Sequence, residues 1–315
     1  MTGEETKLHG LKTAVVCGGP GAEREVSLAS GECVYAALSG AGFRVEKAVV
    51  PPEAPDRYLR DLECDIAVMM LHGEFGEDGQ AQRILEERGV SFSGSASGVC
   101  SLAMDKNACK ILFAASGIPT AGWLRADSVD GALKAIADAE LTPPLVVKPN
   151  SLGSSVGVTI IREGNQLSDA LALALSMDKS VIVEEFVDGR ELTAGWLDGG
   201  ILPVVELIPD GGFYDYQAKY VSDKTRYLCP AELTGDMEEE ISRIIRKTVE
   251  IIPVRDLARV DILLGEDGPK VLEINLLPGF TSHSLLPMAA RAIGMDMPDL
   301  CARLAQMAAR RGGLL

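Results

Sequence analysis

The stretch RVDILLGEDGPKVLEIN, residues 259 to 275, constrains the fold more than any other part of the chain. It predicts two strands around a GEDG turn, and a turn centred on residue 267 places Arg259 opposite Asn275 and Asp261 opposite Glu273. Because side chains alternate along a strand, this register gathers the four polar residues on one face. The other face then receives Val260, Ile262, Leu272 and Ile274. A slip of one residue would mix the two faces, so the register should be firmly specified.

The facing carboxylates of Asp261 and Glu273 need compensation, because each raises the pKa of the other when both leave water. One interpretation is structural: Arg259 neutralises one carboxylate, and the polar face is wet. The other is a divalent cation, since Mg²⁺ takes one or two carboxylates together with amide or water oxygens and the phosphates of a substrate. The second interpretation predicts a phosphate-binding segment elsewhere in the chain.

Composition and charge restrict the class of protein. The 315 residues suffice for two or three domains, and 47% hydrophobic with 24% charged residues is typical of a soluble globular protein. A net charge of -16 without a basic stripe argues against a nucleic-acid partner. The seven scattered cysteines form no C-x-x-C pair, which argues against disulfides and zinc. No apolar run approaches the roughly 18 residues of a membrane span, and the first residues are polar, so we expect a cytoplasmic protein with a short frayed leader and no membrane partner.

Apolar strands and helical stretches alternate through the first hundred residues. Strands near 12–17, 43–50 and 65–71, separated by helical segments, predict an α/β protein with an open parallel sheet covered by helices. We expect domain boundaries near residues 105 and 189. A closing helix should bury the face that carries Leu300, Leu304 and Met307.

The segment GSSVG at 153–157 follows Lys148 and is the candidate for phosphate binding. Glycines let backbone amides turn toward an anion, and the hydroxyls of Ser154 and Ser155 add donors. Alone, the segment is more typical of a plain turn, and Lys148 or Lys106 alone is more typical of a lysine whose stem lies on apolar surface. It matches neither the Walker pattern nor G-x-G-x-x-G, so ordinary P-loop and dinucleotide-binding proteins lose support.

Four other segments carry candidate polar groups. GGPGAERE at 18–25 places Glu23 near a helix start, where it either complements the helix dipole or holds an ammonium group. His72 in LHGEFGEDG is either a satisfied loop histidine or a substrate contact. FYDYQAKY at 213–220 is either core or a lid. PGFTSHSLLP at 278–287 is a capping signal before a helix, whose amides could also bind a carboxylate.

Together, and in their order along the chain, these motifs resemble those of the D-alanine–D-alanine ligases, which belong to the ATP-grasp superfamily. The matching segments span about residues 12 to 290 and are GGPGAEREVSLASG, HGEFGEDG, MDK, VVKPNSLGSSVG, EEFVDGREL, FYDYQAKY, RVD, LEIN and PGFTSHSLLP. The resemblance implies a three-domain ATP-grasp fold, with an N-terminal substrate-binding domain (1–105), a central subdomain (106–188) and a C-terminal subdomain with metal site and lid (189–315). ATP would lie between the last two. The family also implies a homodimer that acts in peptidoglycan precursor synthesis.

The resemblance assigns binding roles residue by residue. The residues that would hold ATP are Lys106, Lys148, Ser154, Ser155, Glu184, Glu185, Val187, Glu191 and Lys219. Lysines and serines would contact the phosphates, while the glutamates and the backbone at 185 and 187 would hold adenine and ribose. Asp261, Glu273 and Asn275 would bind two Mg²⁺ ions, or Mn²⁺ in their place.

The implied reaction converts the carboxylate of one D-alanine into an acyl phosphate, which the amine of a second D-alanine attacks. The residues implied in catalysis are Glu23, Ser154, Tyr220, Arg259, Gly279 and Ser284. The implied substrate contacts are Glu23, His72, Arg259, Gly279, Ser284 and Leu285. Arg259 and the Gly279 amide would stabilise the oxyanion, and a link of Glu23, Ser154 and Tyr220 would close the lid.

Three positions depart from the family pattern: Gln217 where Glu is common, Arg83 where Gly often follows Gln, and Leu276 where Thr often follows the metal-binding Asn. Tyr220 favours an amine as the second nucleophile, because relatives that make D-alanyl-D-lactate usually lack this tyrosine. Two alternatives stay open: a ligase with D-serine or D-lactate as second substrate, and a catalytically silent nucleotide-binding relative. The silent relative predicts the loss of at least one of five residues, all of which are present: Lys148, Arg259, Asp261, Glu273 and Asn275.

Overall fold

The computed structural model describes residues 3–209 and 225–315, and its first sheet confirms the predicted open parallel sheet. The strands are β1 (Thr13–Gly18), β2 (Val45–Val50), β3 (Ile66–Met69) and β4 (Ser91–Phe92), in the order β2-β1-β3-β4. The helices of this region are α1 (Gly3–Gly10), α2 (Arg24–Gly40), α3 (Pro55–Asp61), α4 (Gln80–Arg88) and α5 (Ser97–Met104). β1 and β3 are buried along their whole length, as expected of a parallel sheet covered on both faces.

The second sheet is antiparallel and follows in the chain. Its strands are β5 (Trp123–Ala126), β6 (Leu145–Pro149), β7 (Thr159–Ile161) and β8 (Val181–Glu185), in the order β5-β8-β6-β7. Its helices are α6 (Lys106–Ala115), α7 (Val129–Asp138) and α8 (Leu167–Met177), with a 3₁₀ turn at Gly164–Gln166. The central strands β6 and β8 place the side chains of Lys148 and Glu184 as diagonal neighbours on one face.

The third sheet is antiparallel and contains the hairpin. Its strands are β9 (Gly189–Leu197), β10 (Gly200–Ile201), β11 (Val205–Ile208), β12 (Arg226–Leu228), β13 (Leu257–Gly265) and β14 (Gly268–Asn275). The order is β12-β11-β9-β13-β14, with β10 paired to β9. The helices are α9 (Gly235–Ile251), α10 (Leu285–Ala292) and α11 (Met297–Arg311).

The hairpin confirms the predicted polar face and corrects the apolar one. Arg259 pairs with Asn275 and Asp261 with Glu273, as the pattern predicted. A β-bulge follows Asp261, however, so that Ile262 pairs with Val271 rather than with Leu272. The prediction that Leu272 enters the core is therefore wrong: Val271 is buried there, and Leu272 is only partly covered.

The last helix returns to the beginning of the chain. α11 packs against α2 and β3, and Leu300 and Leu304 share a buried cluster with Val15. Met307 is also buried, so the predicted apolar face is confirmed. The loop before α10 lies beside α2, where the Phe280 amide donates to Ser30 Oγ. Within the described ranges, no helix is both long and apolar enough to span a membrane.

Candidate active site

A cleft of about 380 Å³ lies between the second and third sheets. β6, β8 and the first turns of α6 supply one wall, and β9, β11, β13 and β14 supply the other. The predicted site residues that line it are Lys106, Lys148, Ser155, Glu184, Glu185, Val187, Glu191, Asp261 and Glu273. Residues predicted from separate motifs to bind ATP and metal therefore face the same space.

Three buried charged side chains in this cleft, Lys110, Lys148 and Glu184, form what we call the lysine cluster. Lys148 Nζ lies 2.9 Å from Glu184 Oε2, and Lys110 Nζ lies 3.1 Å from Glu184 Oε1. Burial alone raises the pKa of the Glu184 carboxyl, but the two cations outweigh it, and the pKa lies below its ordinary value. Burial lowers the pKa of the Lys110 ammonium, and Glu184 opposes that shift. Glu184 thus stays an anion between two cations.

Lys106 begins α6 and reaches across the cleft toward the hairpin. Asp105 caps this helix by accepting a hydrogen bond from the Ala108 amide, which fixes the helix start. Lys106 Nζ donates to the Leu152 carbonyl at 2.6 Å and lies 3.8 Å from Glu273 Oε2. Burial lowers the pKa of the Lys106 ammonium, and Glu273 partly opposes this. A cation of one wall therefore approaches a carboxylate of the other.

The predicted phosphate segment carries backbone strain. Ser154 and Ser155 adopt φ of 51° and 58°, a region that costs non-glycine residues energy and is common at functional sites. The Ser154 hydroxyl donates to the Glu23 carboxylate. Glu23 occupies the N-cap position of α2 without a side-chain capping bond, so its carboxylate serves the serine instead of the helix start. A Cβ on Gly73 would overlap this carboxylate, so the approach requires glycine there.

A second polar group, which we call the hairpin cluster, contains Thr193, Arg259 and Asp261. Arg259 donates twice to Asp261, from Nε and Nη2, each at 2.8 Å. The Thr193 hydroxyl on β9 donates to Asp261 Oδ1 at 2.5 Å. A carboxylate offers about four lone-pair sites, so these three bonds orient Asp261 and leave room for one further ligand. The two interpretations of the hairpin are therefore compatible: Arg259 can balance the charge of Asp261 while Asp261 also binds a metal ion.

The donor set of the hairpin fits a hard cation. Asp261 and Glu273 are cross-strand neighbours, and Asn275 lies two residues beyond Glu273 on the same face. Asn275 Oδ1 accepts the Leu277 amide at 2.9 Å, which orients the amide group and leaves its second lone pair. Two carboxylates and an amide oxygen suit Mg²⁺, which prefers oxygen ligands. Among the described residues, the hairpin included, no three His, Cys, Asp or Glu side chains gather as a metal site, so the third donor of the hairpin is the amide of Asn275.

His72 connects the N-terminal region to the loop before α10. Its Nε2 lies 3.2 Å from Ser30 Oγ and its Nδ1 3.4 Å from Glu77 Oε1. Ser30 Oγ accepts the Phe280 amide at 3.2 Å. The Glu77 carboxylate can only accept, so Nδ1 carries a proton, and Nε2 of the neutral imidazole then accepts from the Ser30 hydroxyl. The histidine is both a satisfied, buried side chain and a neighbour of the peptide that follows Gly279.

The start of α10 partly corrects the predicted cap. Ser284 occupies the N-cap position, but its side chain makes no capping bond, because Oγ accepts the Thr281 amide at 2.9 Å instead. Gly279 approaches so closely that a Cβ there would press on Ser284 Oγ. Leu285 is buried at the first helical position. Lys219 and Tyr220, and with them the predicted lid, lie outside the described residues.

Sequence reasoning missed four polar residues that support the site: Ser30, Glu77, Lys110 and Thr193. Lys110 lies one helical turn after Lys106, and this spacing could have indicated a second cation on the same face. Thr193 faces Asp261 only through the pairing of β9 with β13. Ser30 meets Phe280 across 250 positions, and no local pattern predicts that contact.

The chain is similar to known proteins over most of its length. Residues 112–306 match the family model for the D-ala D-ala ligase C-terminus. The D-alanine–D-alanine ligase of Azoarcus sp. (strain BH72) is 43% identical over 303 residues, covering 96% of this chain and 98% of the relative. That of Mannheimia succiniciproducens is 38% identical, covering 95% and 98%.

Solved structures show the same similarity. The D-alanine–D-alanine ligase of Bacillus anthracis complexed with ATP superposes with a TM-score of 0.85 at 29% identity, covering 96% of this chain and 99% of that one. The VanG D-Ala:D-Ser ligase of Enterococcus faecalis gives a TM-score of 0.82 at 27% identity, covering 95% and 99%. These matches confirm the predicted ATP-grasp fold, and the chain belongs to the D-alanine–D-alanine ligase family.

Proposed function

We propose that the chain joins two D-alanine molecules into D-alanyl-D-alanine, with conversion of ATP to ADP and phosphate. The observation that carries the proposal is the meeting of two walls: Lys106 of one lies 3.8 Å from Glu273 of the other, within one cleft. A cleft with cations on one side and a carboxylate pair on the other suits a nucleotide triphosphate with its metal ions. Family membership adds independent support.

The proposed nucleotide contacts follow the walls of the cleft. Lys106, Lys148, Ser154 and Ser155 would hold the phosphates, together with Lys219. Glu184, Glu191 and the backbone of Glu185 and Val187 would hold adenine and ribose. Glu184 Oε1 supports this assignment, because it is buried and accepts no well-aligned hydrogen bond among the described residues, although Lys110 Nζ is 3.1 Å away. It can accept a bond from an amino group of a base.

Asp261, Glu273 and Asn275 would hold two Mg²⁺ ions, which supply charge neutralisation to the phosphates when bound. Arg259 and Thr193 orient Asp261, and Lys106 approaches Glu273. The chain thus fixes its ligands in advance, which reduces the cost of organising them around the charged substrate.

The first proposed step is phosphoryl transfer. A carboxylate oxygen of the first D-alanine attacks the γ-phosphorus, the bond to the β-phosphate oxygen breaks, and ADP leaves. Such transfer depends on positioning and charge stabilisation, which the lysines provide. Glu23 would bind the ammonium group of this substrate, and His72, held by Ser30 and Glu77, would assist beside it.

The second proposed step forms the peptide bond. The amine of the second D-alanine attacks the acyl phosphate carbonyl, and the oxyanion that develops is stabilised by Arg259 and the Gly279 amide. Collapse of this tetrahedral species expels phosphate. Ser284 and the Leu285 amide at the start of α10 would hold the carboxylate of the second substrate. Tyr220 would complete the link with Glu23 and Ser154 that closes the site.

Three further features of the family are part of the proposal. The chain divides into domains 1–105, 106–188 and 189–315, it forms a homodimer, and it acts in the cytoplasm in peptidoglycan precursor synthesis. The separate sheets within each range support the division.

The experiment is phosphate release from ATP and Mg²⁺ with D-alanine, D-alanine plus D-serine, D-alanine plus D-lactate, or L-alanine, with product masses recorded. We expect release with D-alanine alone and the dipeptide mass. Release only when D-serine or D-lactate is present would identify that compound, rather than D-alanine, as the second substrate. Release with none of them would overturn the ligase assignment and favour a silent nucleotide-binding relative.

Asp261→Asn is the matched variant for this assay. It keeps the size of the side chain and removes the charge that would hold the cation, so phosphate release should be abolished while thermal unfolding remains cooperative. Retained release would contradict the metal assignment.

A further inference from the structure

The β-bulge in β14 decides which side chain faces Asp261. From the turn up to Val271, each residue of β14 pairs one-to-one with β13, and Ile262 faces Val271. Without an extra residue, the next pair would set Leu272 against Asp261. The bulge removes Leu272 from the register, and Glu273 becomes the partner of Asp261. The pair of carboxylates therefore exists because of the bulge.

The bulge lies on the edge strand of its sheet, and the segment between α6 and β5 covers this edge. The Val271 amide donates to the Pro119 carbonyl at 2.8 Å, and the Thr120 hydroxyl donates to the Val271 carbonyl at 2.9 Å. Both backbone groups of the residue before the bulge are thus held by residues 119 and 120. An uncovered edge strand would leave these groups to water and the register more weakly specified.

Lys110 determines the direction of the Thr120 bond. Its Nζ lies 2.6 Å from Thr120 Oγ1, 3.3 Å from the Ala121 carbonyl and 3.1 Å from Glu184 Oε1. An ammonium group can only donate, so Thr120 Oγ1 accepts from Lys110 and its own proton goes to the Val271 carbonyl. With 1% of its surface exposed, Lys110 has little freedom to leave this arrangement.

We propose that Thr120 and Lys110 are positioning residues that hold the bulge of β14 and thereby set Glu273 opposite Asp261 in the metal site. The inference rests on the proposed function, because that function makes Asp261 and Glu273 metal ligands. The hydrogen bonds of Thr120 and Lys110 are observed independently of it. Neither residue needs to touch a reacting atom: Thr120 acts through the backbone of Val271, and Lys110 acts through Thr120.

A purely structural role makes a different prediction. If the Thr120 bond only protected the sheet edge, its loss would lower the free energy of unfolding and leave the geometry of the carboxylates unchanged. A positioning role predicts weaker metal binding, since loss of groups that orient metal ligands typically costs about 10–100-fold in affinity.

The test compares Thr120→Val with Thr120→Ser and Thr248→Val. Thr120→Val removes the hydroxyl and keeps the shape, while Thr120→Ser restores the hydroxyl. Thr248→Val is the control, because it removes a buried hydroxyl that donates to the Ile244 carbonyl at 2.9 Å within α9, outside the hairpin. The probe is Mn²⁺, titrated into the whole chain with a non-hydrolysable ATP analogue and followed by its electron paramagnetic resonance signal.

We expect Thr120→Val to weaken Mn²⁺ binding about 10–100-fold, and Thr120→Ser and Thr248→Val to bind within about threefold of the unaltered chain. Equal affinity of Thr120→Val and Thr248→Val would overturn the proposal. So would failure of Thr120→Ser to restore binding.

Amide hydrogen exchange at residues 271–275 gives a second measurement that does not depend on metal. Exchange there should accelerate in Thr120→Val and not in Thr248→Val. Unchanged exchange in Thr120→Val would show that Thr120 does not hold the bulge. If the unaltered chain neither binds Mn²⁺ with the analogue nor releases phosphate with D-alanine, the proposed function is wrong. The exchange data then still decide whether Thr120 holds the bulge.

Discussion

The hairpin cluster and the lysine cluster face one cleft, but the chain builds them differently. In the hairpin cluster, Arg259 and Asp261 lie two residues apart on one strand, and a neighbouring strand adds Thr193. In the lysine cluster, Lys110 comes from α6, Lys148 from β6 and Glu184 from β8. The pairing of Arg259 with Asp261 can be predicted from the two-residue period of a strand, whereas the lysine cluster can be recognised only once the tertiary fold is known. The ion pairs of the lysine cluster are also more deeply buried than the Arg259–Asp261 pair, so damage to the lysine cluster should cost more stability, whereas damage to the hairpin cluster should cost mainly activity.

The largest expected effect is on stability, from Glu184→Gln. The substitution leaves the ammonium groups of Lys110 and Lys148 buried without their carboxylate, and loss of one partner of a buried ion pair typically costs about 3–5 kcal/mol. Urea unfolding of the ligand-free chain measures the change. The control is Glu240→Gln, which breaks an exposed pair with Arg243 and should cost less than about 1 kcal/mol. Equal costs for the two variants would contradict the lysine cluster as a stabilising unit.

The next effect is on activity, from Arg259→Lys. Lysine retains a charge beside Asp261 but loses the two-pronged geometry, so it cannot bind the carboxylate and stabilise the oxyanion in the same way. Loss of one such donor typically lowers kcat by about 10²–10³-fold. Steady-state phosphate release should show this fall while urea unfolding changes little. If Arg259→Lys instead lowered the free energy of unfolding strongly and retained kcat, the hairpin cluster would serve stability rather than activity.

A smaller effect is expected from Thr193→Val, which removes the hydroxyl that donates to Asp261. A hydrogen bond to a charged group contributes about 1.5–3 kcal/mol, and here Arg259 continues to satisfy the same carboxylate, so the lower end applies. Urea unfolding gives the cost, and the Mg²⁺ concentration for half-maximal phosphate release should rise. Thr193→Ser restores the hydroxyl and should recover both. Unchanged Mg²⁺ dependence in Thr193→Val would remove Thr193 from the support of the metal site.

The two clusters also show what the sequence can and cannot predict. The pairing of Asp261 with Glu273 was predictable, because a polar face must stay on one side of a strand with an apolar reverse face. The alternation in the first hundred residues likewise predicted a parallel sheet. Lys110 was not found, since a single lysine in a helix reads as a surface residue until Glu184 is known to lie beside it.

Contacts between distant segments were beyond local patterns for a physical reason. The bond from the Phe280 amide to Ser30 depends on α11 packing against α2, which only the folded core determines. The capping signal at Ser284 identified the helix start correctly, but the direction of the hydroxyl depends on the Thr281 amide. For this helix the sequence predicted the start, and tertiary packing decided how the side chain at its end is used.

The smallest expected effect follows from the misplaced Leu272. Had Leu272 been a core residue, Leu272→Ala would cost about 2–5 kcal/mol, as Ile274→Ala should, since Ile274 is 6% exposed on the same strand. Because the bulge turns Leu272 toward the cleft, we expect its truncation to cost less than about 1 kcal/mol in urea unfolding and to raise the KM for ATP. Ile274→Ala should show the opposite pattern, a large loss of stability with the KM retained. Equal losses of stability in Leu272→Ala and Ile274→Ala would mean that Leu272 packs as a core residue. The bulge would then not be what sets Glu273 opposite Asp261.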